Sequence, residues 1–291
     1  MNISLKASAK RTLNQLFRYK AKSSVKSLLA HDSPELKAIG EAINESLNDF
    51  VSDEEQLLIN SIENRRFALL KSKEEIPVID FGAGKIDSGL TSQEMMAGVK
   101  SHESLAEISE LRSKTAFWAK ILFKIVRKLQ PLSCVELGTC VGISAAYQAG
   151  ALKLNGKGHL RTIEGSPEIS RIAQETLDNL DLKNTEIITG SFHEKLKDTL
   201  ESAKPIDFFF NDGHHDHDAL LKYFEETVPY LARKAVIIFD DISWSKGMEE
   251  AWSKIKSDQR VAATVDLKNI GIALIDNNAT KKEEFSIPLL D

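Results

Sequence analysis

The stretch VELGTCVGIS, residues 135–144, decides which fold this sequence predicts. An apolar, β-branched strand reaches the acidic Glu136 and then turns through a glycine loop into a helix. Gly138 and Gly142 stand four residues apart, whereas the phosphate-binding loop of dinucleotide enzymes has the closer spacing G-x-G-x-x-G. We therefore expect a cofactor without phosphates, which the backbone can approach closely at glycine. Glu136 is placed to contact a cationic or amine-bearing group of that cofactor.

The second half of the chain alternates between strand and helix patterns. Strands are predicted at about 133–137, 159–163, 185–189, 206–211 and 235–239, with helical stretches between them. Such alternation requires a mainly parallel sheet with helices on both faces. Two further strands, VAATVDL and IGIALID, are separated only by Lys268 and Asn269, which permits only an antiparallel hairpin. The expected fold is therefore a Rossmann-like, doubly wound α/β sheet of seven strands, one of them antiparallel.

Acidic residues close several of these strands, at the sheet edge where open α/β folds bind their ligands. Glu164 closes HLRTIE, Asp212 follows IDFFFN, and Asp240 and Asp241 follow AVIIF. Together with the glycine loop, this ordered set resembles the class I S-adenosylmethionine-dependent methyltransferases over about residues 114–276. Within that class the chain looks closest to the catechol O-methyltransferase-like, metal-dependent branch. The resemblance implies S-adenosylmethionine as cofactor and transfer of its methyl group to a hydroxyl of a small molecule.

The resemblance also implies a set of cofactor-binding residues. Glu164, 26 positions beyond Gly138, is placed to accept the ribose hydroxyls, with helix-start electrostatics as its alternative role. Ser191 and Phe192 in TGSFHE fall at the adenine edge, although related enzymes tend to carry a small polar residue at the second position. The full set expected to bind the cofactor is Glu136, Gly138, Thr139, Gly142, Ser144, Glu164, Gly165, Ser191, Phe192 and Asp212.

A metal ion is expected on Asp212, Asp240 and Asp241. Carboxylate oxygens suit a hard divalent cation such as Mg²⁺ or Mn²⁺, which keeps open positions for substrate oxygens. Where the metal-dependent branch often has Asp-Asn, this chain has Asp-Asp, as in relatives acting on sugar hydroxyls, and this weakens the expectation of a catechol substrate. In the alternative interpretation Asp241 caps a helix and Asp212 is a polar lip of the pocket.

Three histidines follow Asp212 in GHHDHDAL. Their spacing does not match established zinc motifs. His215 falls where the catechol enzymes carry a lysine base, and a histidine that is largely neutral at pH 7 can accept a hydroxyl proton. His214 is the competing base, a hydrated loop histidine is the alternative for both, and His217 is interpreted as structural.

Residues 1–113 are expected to form an N-terminal helical extension to a methyltransferase domain at 114–291. Its glycine-containing stretch IPVIDFGAGKIDSGL, residues 76–90, is interpreted as a loop between helices. Residues 81–85 of this loop are expected to form a lid that contacts the substrate, with a plain connector as the alternative. In the second half, Trp244 is a candidate wall of the pocket, and Trp252 is expected in the core.

Composition limits the function further. The chain has 291 residues, 42% of them hydrophobic, and no apolar run near the roughly 20 residues that span a bilayer. Cys134 and Cys140 are interpreted as free thiols, so a reducing, cytoplasmic location is expected. Residues 1–31 carry seven Lys or Arg and no acid, while the remainder has a net charge of −12 and argues against a nucleic-acid substrate. The basic start suits a transit peptide, a membrane-surface contact, a solvated helix, or packing on the body or on a second subunit of a homodimer.

Three other functions stay open at this point. One is a metal-independent methyltransferase that uses a histidine base. Another is a nicotinamide or flavin oxidoreductase, although the glycine spacing supplies no phosphate cradle. The third is an adenosyl-binding scaffold without catalysis, which would be expected to lack the metal carboxylates.

Overall fold

The N-terminal part combines helices with a small sheet. The computed structural model describes residues 20–82, 97–276 and 278–289. A first helix spans residues 20–29. It is followed by α1 (Pro34–Leu47), α2 (Asp53–Leu70), β1 (Glu75–Asp80), β2 (Val99–Ser104) and α3 (Leu105–Arg112). Ser33 and Ser52 cap α1 and α2 with side-chain hydrogen bonds to backbone N–H groups, as serine does at helix starts.

The prediction that residues 76–90 form only a loop was wrong at its start. β1 pairs with β2 in an antiparallel two-stranded sheet, with Ile76 and Val78 buried and their neighbours more exposed. Pro77 suggested a loop, but a strand with few partners tolerates proline because fewer backbone N–H groups are needed for pairing. Residues 83–85 of the expected lid, and the basic residues 1–19, lie outside the described residues.

The second part holds the main sheet. Its strands are β3 (Ser133–Leu137), β4 (His159–Glu164), β5 (Thr185–Thr189), β6 (Ile206–Asn211), β7 (Leu231–Phe239), β8 (Val261–Asp266), β9 (Gly271–Asp276) and β10 (Glu283–Ser286). Their order across the sheet is β10-β8-β9-β7-β6-β3-β4-β5, and within it β9 alone runs antiparallel to its described neighbours. The predicted doubly wound fold is confirmed, including the β8–β9 hairpin. The strand β10, which pairs parallel to β8, adds an eighth strand at the edge.

Helices cover both faces of this sheet. They are α4 (Ala116–Leu129), α5 (Ile143–Asn155), α6 (Pro167–Asn179), α7 (Phe192–Ala203), α8 (His217–Thr227) and α9 (Lys246–Ser257). Successive residues of a strand point to opposite faces. Thus Phe208 and Phe210 pack with α1, α2 and α4–α6, whereas Phe209 packs with α7–α9. Trp252 lies in the second of these clusters, as expected.

No helix in the described residues is both long enough and apolar enough to cross a lipid bilayer.

Candidate functional site

A cavity of about 400 Å³ opens at the carboxyl ends of β3, β4, β6 and β7. This is a typical volume for a small-molecule site. Most of the predicted site residues line it, namely Gly138, Glu164, Gly165, Ser191, Phe192, Asp212, His214, His215, Asp240 and Asp241. The structure does not place Glu136, Thr139, Gly142 or Ser144 in the cavity wall.

The glycine loop brings β3 against the end of β6. Gly138 has a φ of 90°, and a Cβ at this position would lie 2.2 Å from the carbonyl oxygen of Asp212. Only glycine fits both the positive φ and the close approach. The backbone N–H of Asp212 donates to the carbonyl of Leu137 (3.1 Å), so the loop and the acidic strand end form one continuous wall.

Glu136 supports this wall from behind. Its carboxylate is fully buried and accepts hydrogen bonds from Gln148 Nε2 and Thr162 Oγ1, both at 2.7 Å. Burial raises the pKa of Glu136 to about 7, although these hydrogen bonds oppose the shift. These hydrogen bonds already use the carboxylate oxygens of Glu136. The predicted contact of Glu136 with an amine of the cofactor stays a prediction.

Glu164 faces the cavity from the end of β4. Its two oxygens accept the backbone N–H groups of Cys140 and Ser166, each at 2.9 Å. Burial raises the pKa of Glu164 to about 7, and these backbone hydrogen bonds counteract part of that rise. A carboxylate oxygen can accept more than one hydrogen bond, so Glu164 can still accept hydroxyl groups of a ligand.

His214 is held by two hydrogen bonds. Its Nε2 lies 2.9 Å from the carbonyl oxygen of Phe81, and its Nδ1 lies 2.5 Å from the hydroxyl of Tyr223. A carbonyl can only accept, so Nε2 carries the proton and Nδ1 accepts from Tyr223. Burial lowers the pKa of His214, which keeps it neutral. Both nitrogens are occupied, so this histidine ties β1 to the main sheet.

His215 is placed differently, within the acidic group. Ligand atoms of Asp212, His215 and Asp240 lie within 4.8 Å of one another. His215 Nε2 is 3.4 Å from Asp212 Oδ1, and its Nδ1 is 3.8 Å from Asp241 Oδ2. Among the described residues neither ring nitrogen has a hydrogen-bond partner, although the side chain is only 12% exposed. The compact group therefore includes His215, while the predicted metal ligand Asp241 lies at its margin.

Lys114 also belongs to this group, although the sequence analysis did not identify it as a site residue. Its ammonium contacts Asp240 Oδ2 and lies 3.7 Å from Asp212 Oδ2. Lysine is common between helices, and residue 114 lies far from the acidic strand ends in sequence. No local pattern could have identified it, because its position depends on how the N-terminal part packs on the sheet.

Aromatic side chains form the remaining walls. The ring of Phe81 packs closely on the loop after β4: a Cβ added at Gly165 would lie only 2.5 Å from this ring. Trp244 lines the cavity as expected and lies 5.8 Å from the ring of His215, between centroids. Trp118 adds a buried wall from α4. The cavity thus combines a hydroxyl-accepting carboxylate, an acid–base cluster and flat apolar walls.

Comparisons with known proteins find similar sequences. Residues 135–242 match a family described as a methyltransferase domain. A catechol O-methyltransferase of Niastella koreensis is 30% identical over 125 residues, which are 42% of this chain and 55% of that relative. The chain thus spans about half the length of this curated relative.

Solved structures support the fold. An S-adenosylhomocysteine-bound methyltransferase of Podospora anserina, PaMTH1, has a TM-score of 0.52 at 13% identity, over 78% of this chain and 88% of that one. A Staphylococcus aureus structure, provisionally named a caffeoyl-CoA O-methyltransferase, has a TM-score of 0.51 at 18% identity, over 64% and 93%.

Proposed function

We propose that the chain transfers a methyl group from S-adenosylmethionine to a hydroxyl of a small molecule, on the premise that residues 135–242 match a family described as a methyltransferase domain. One observation carries the proposal. A single cavity joins Glu164, which can accept hydroxyls, to the group formed by Asp212, His215 and Asp240. The first suits an adenosyl cofactor, and the second suits an acceptor that must lose a proton.

The cofactor half of the cavity is supported by its donors and acceptors. S-adenosylmethionine, when bound, supplies a methyl group already activated by its sulfonium. Ribose hydroxyls donate hydrogen bonds, and Glu164 is a buried acceptor already oriented by two backbone N–H groups. Gly165 and Phe81 provide a closely packed surface beside it. PaMTH1, which has a similar fold, was solved with S-adenosylhomocysteine bound, and this supports a cofactor of the same class.

On the acceptor half, we assign the base to His215. Asp212 lies 3.4 Å from Nε2, so it can stabilise the imidazolium that forms when the ring takes a hydroxyl proton. Trp244 lies 5.8 Å from the ring, between centroids, and forms part of the cavity wall beside it. The chain's main contribution is to place the hydroxyl in line with the methyl group.

A divalent cation fits the same group. Asp212 and Asp240 are the oxygen ligands that Mg²⁺ prefers, and the nearby imidazole makes Mn²⁺ equally suitable. When bound, such a cation lowers the pKa of a coordinated hydroxyl and orients it. Asp241 is proposed as an outer ligand. A metal-independent methyltransferase is the second candidate, because Lys114 already places a cation beside Asp240.

Two measurements test the proposal. In calorimetry we expect micromolar or tighter binding of S-adenosylmethionine or S-adenosylhomocysteine and no binding of NADH; the reverse result would identify an oxidoreductase. Transfer of labelled methyl groups to a panel of catechols and sugar hydroxyls then separates an enzyme from a binding scaffold.

The metal is tested with the same assay. Excess chelator should abolish transfer, Mg²⁺ or Mn²⁺ should restore it, and Asp212→Asn and Asp240→Asn should keep cofactor binding while losing most turnover. Full activity in excess chelator would assign the chain to the metal-independent alternative.

A further inference from the structure

Lys114 places a positive charge where the divalent cation would bind. The residue lies between α3 and α4, two residues before α4 begins. Its ammonium contacts Asp240 Oδ2 and is 3.7 Å from Asp212 Oδ2, and the Lys114 side chain is 12% exposed. The two carboxylates come from the ends of neighbouring strands, β6 and β7.

Asp240 requires such a counter-charge. Its side chain is only 2% exposed, and a buried carboxylate is costly unless a cation or several hydrogen bonds compensate it. A divalent ion would coordinate the oxygens that Lys114 contacts. An ammonium and a metal ion cannot share that position, because their charges repel strongly where little water screens them.

We propose that Lys114 is an internal competitor of the divalent cation. The ammonium neutralises Asp240 when no metal is bound, and it must leave Asp212 and Asp240 before a metal ion can bind. Lysine suits this exchange, because its charge stands at the end of a flexible four-carbon stem. The metal affinity is then set partly by a residue of the segment that joins the N-terminal part to the sheet. This inference takes one element from the proposed function, namely that a divalent cation binds to Asp212 and Asp240.

Mn²⁺ binding measured by electron paramagnetic resonance tests the competition in the full-length protein. Lys114→Gln should lower the Mn²⁺ dissociation constant by tenfold or more, because the metal no longer displaces a charge. Lys114→Arg, which keeps the charge, should stay near wild type. Lys246→Gln is the matched control, because Lys246 is 89% exposed and pairs with Glu250 outside the acidic group; it should change the constant less than twofold. An unchanged or weaker affinity in Lys114→Gln, or no Mn²⁺ binding in either protein, overturns the inference.

Thermal unfolding provides a second measurement. Lys114→Gln leaves Asp240 uncompensated, so its melting temperature should fall below wild type in chelator and rise more than that of wild type when Mn²⁺ is added. An equal rise in both proteins contradicts the exchange. Calorimetry with S-adenosylhomocysteine on the same samples separates the two proposals. Intact cofactor binding with unchanged Mn²⁺ affinity removes only the competition, whereas absent cofactor binding removes the proposed function and leaves the Mn²⁺ result to decide the competition.

Discussion

At the end of β4, the carboxyl group of Glu164 is subject to opposing influences. Burial raises its pKa to about 7, while hydrogen bonds from Ser166 and Cys140 favour the charged form. Ribose hydroxyls would favour the charged form further, so cofactor binding should lower this pKa and release a proton. We therefore expect the affinity for S-adenosylhomocysteine to rise between pH 6 and pH 8 and then level off. Calorimetry in buffers of different ionisation enthalpy measures both the affinity and the proton release.

Glu164→Gln is the control for this pH dependence. It should weaken binding by on the order of 2 kcal/mol, the usual worth of charge-assisted hydrogen bonds, and it should flatten the pH profile. The neighbouring buried acid Glu136 also has a pKa raised to about 7. A profile that stays as steep in Glu164→Gln would therefore assign the proton to Glu136 or to another group.

The two adjacent histidines should give different phenotypes. His215→Ala is expected to reduce turnover by roughly 10² to 10⁴ with little change in cofactor affinity, as when a general base is lost. His214→Ala should mainly lower stability, because His214 holds Phe81 and Tyr223. Steady-state rates, cofactor calorimetry and melting temperatures of both variants provide the comparison. If His214→Ala loses most of its turnover while His215→Ala stays near the wild-type rate, His214 is the base and the assignment to His215 is wrong.

The placement of single residues shows which of them sequence can predict. Glu164 and Asp212 were predictable, because a residue that ends or follows a parallel strand lies at the ligand-binding edge. Glu136 stands one residue before the end of β3, so its side chain points from the sheet face into the protein and binds Gln148. Lys114 could not be predicted, because its partners lie about a hundred residues away in sequence.

At the scale of elements, β1 reaches the cavity with Ile79 and Asp80, and Phe81 follows directly after this strand. The ring packs on the loop at Gly165, and the carbonyl accepts from His214. Phe81→Ala should therefore weaken S-adenosylhomocysteine binding by roughly three- to thirtyfold, the worth of about one partly buried ring face. Phe67→Ala, at an exposed position of α2, is the matched control and should leave the affinity unchanged.

The same variant separates this role from that of a substrate lid. The sequence suggested that residues 81–85 contact the substrate rather than the cofactor. If Phe81→Ala raises the KM of the acceptor and leaves cofactor affinity intact, the lid interpretation is correct at this residue and the assignment to the cofactor side is wrong.

The elements that sequence predicted are those with strong apolar runs. IDFFFN and AVIIF fill central strands, whose buried faces demand such residues. β10 has the sequence EEFS, and a short charged edge strand gives no apolar signal. β1 alternates buried and exposed residues over only six positions, and its proline favoured a loop in the sequence interpretation.

At the scale of the whole molecule, the N-terminal part and the sheet share one apolar cluster. Side chains from α1 and α2 pack in the same cluster as those from α4 and α5. The division of the chain into domains at 1–113 and 114–291 stays a prediction. The shared apolar cluster indicates that both parts fold together. An ion network reinforces this contact, since Lys124 of α4 donates to Glu45 of α1 (2.9 Å) and Glu55 of α2 (2.7 Å).

Lys124 therefore tests whether the chain unfolds as one unit. Its side chain is 3% exposed, and Lys124→Met leaves two carboxylates without their shared partner, which should lower the free energy of unfolding by about 2 to 4 kcal/mol. Lys128→Met, at a position 30% exposed, should cost less than 1 kcal/mol. Urea unfolding at pH 7 should show a single transition in all proteins, with unchanged cofactor affinity under native conditions.

The pH dependence of the decrease in unfolding free energy caused by Lys124→Met provides an independent check. Burial alone would raise the pKa of Glu55, but hydrogen bonds from Lys124, Ser52 and Arg127 outweigh burial and lower it below its ordinary value of 4.5. A carboxyl with a lowered pKa in the folded state stabilises the fold above pH 4.5, and this contribution disappears as the pH falls through the lowered value. The difference in unfolding free energy between wild type and Lys124→Met should thus be full at pH 7 and shrink below pH 4.5. Two separate unfolding transitions, or a difference that does not change with pH, would mean that the N-terminal helices are not held to the sheet by this ion network.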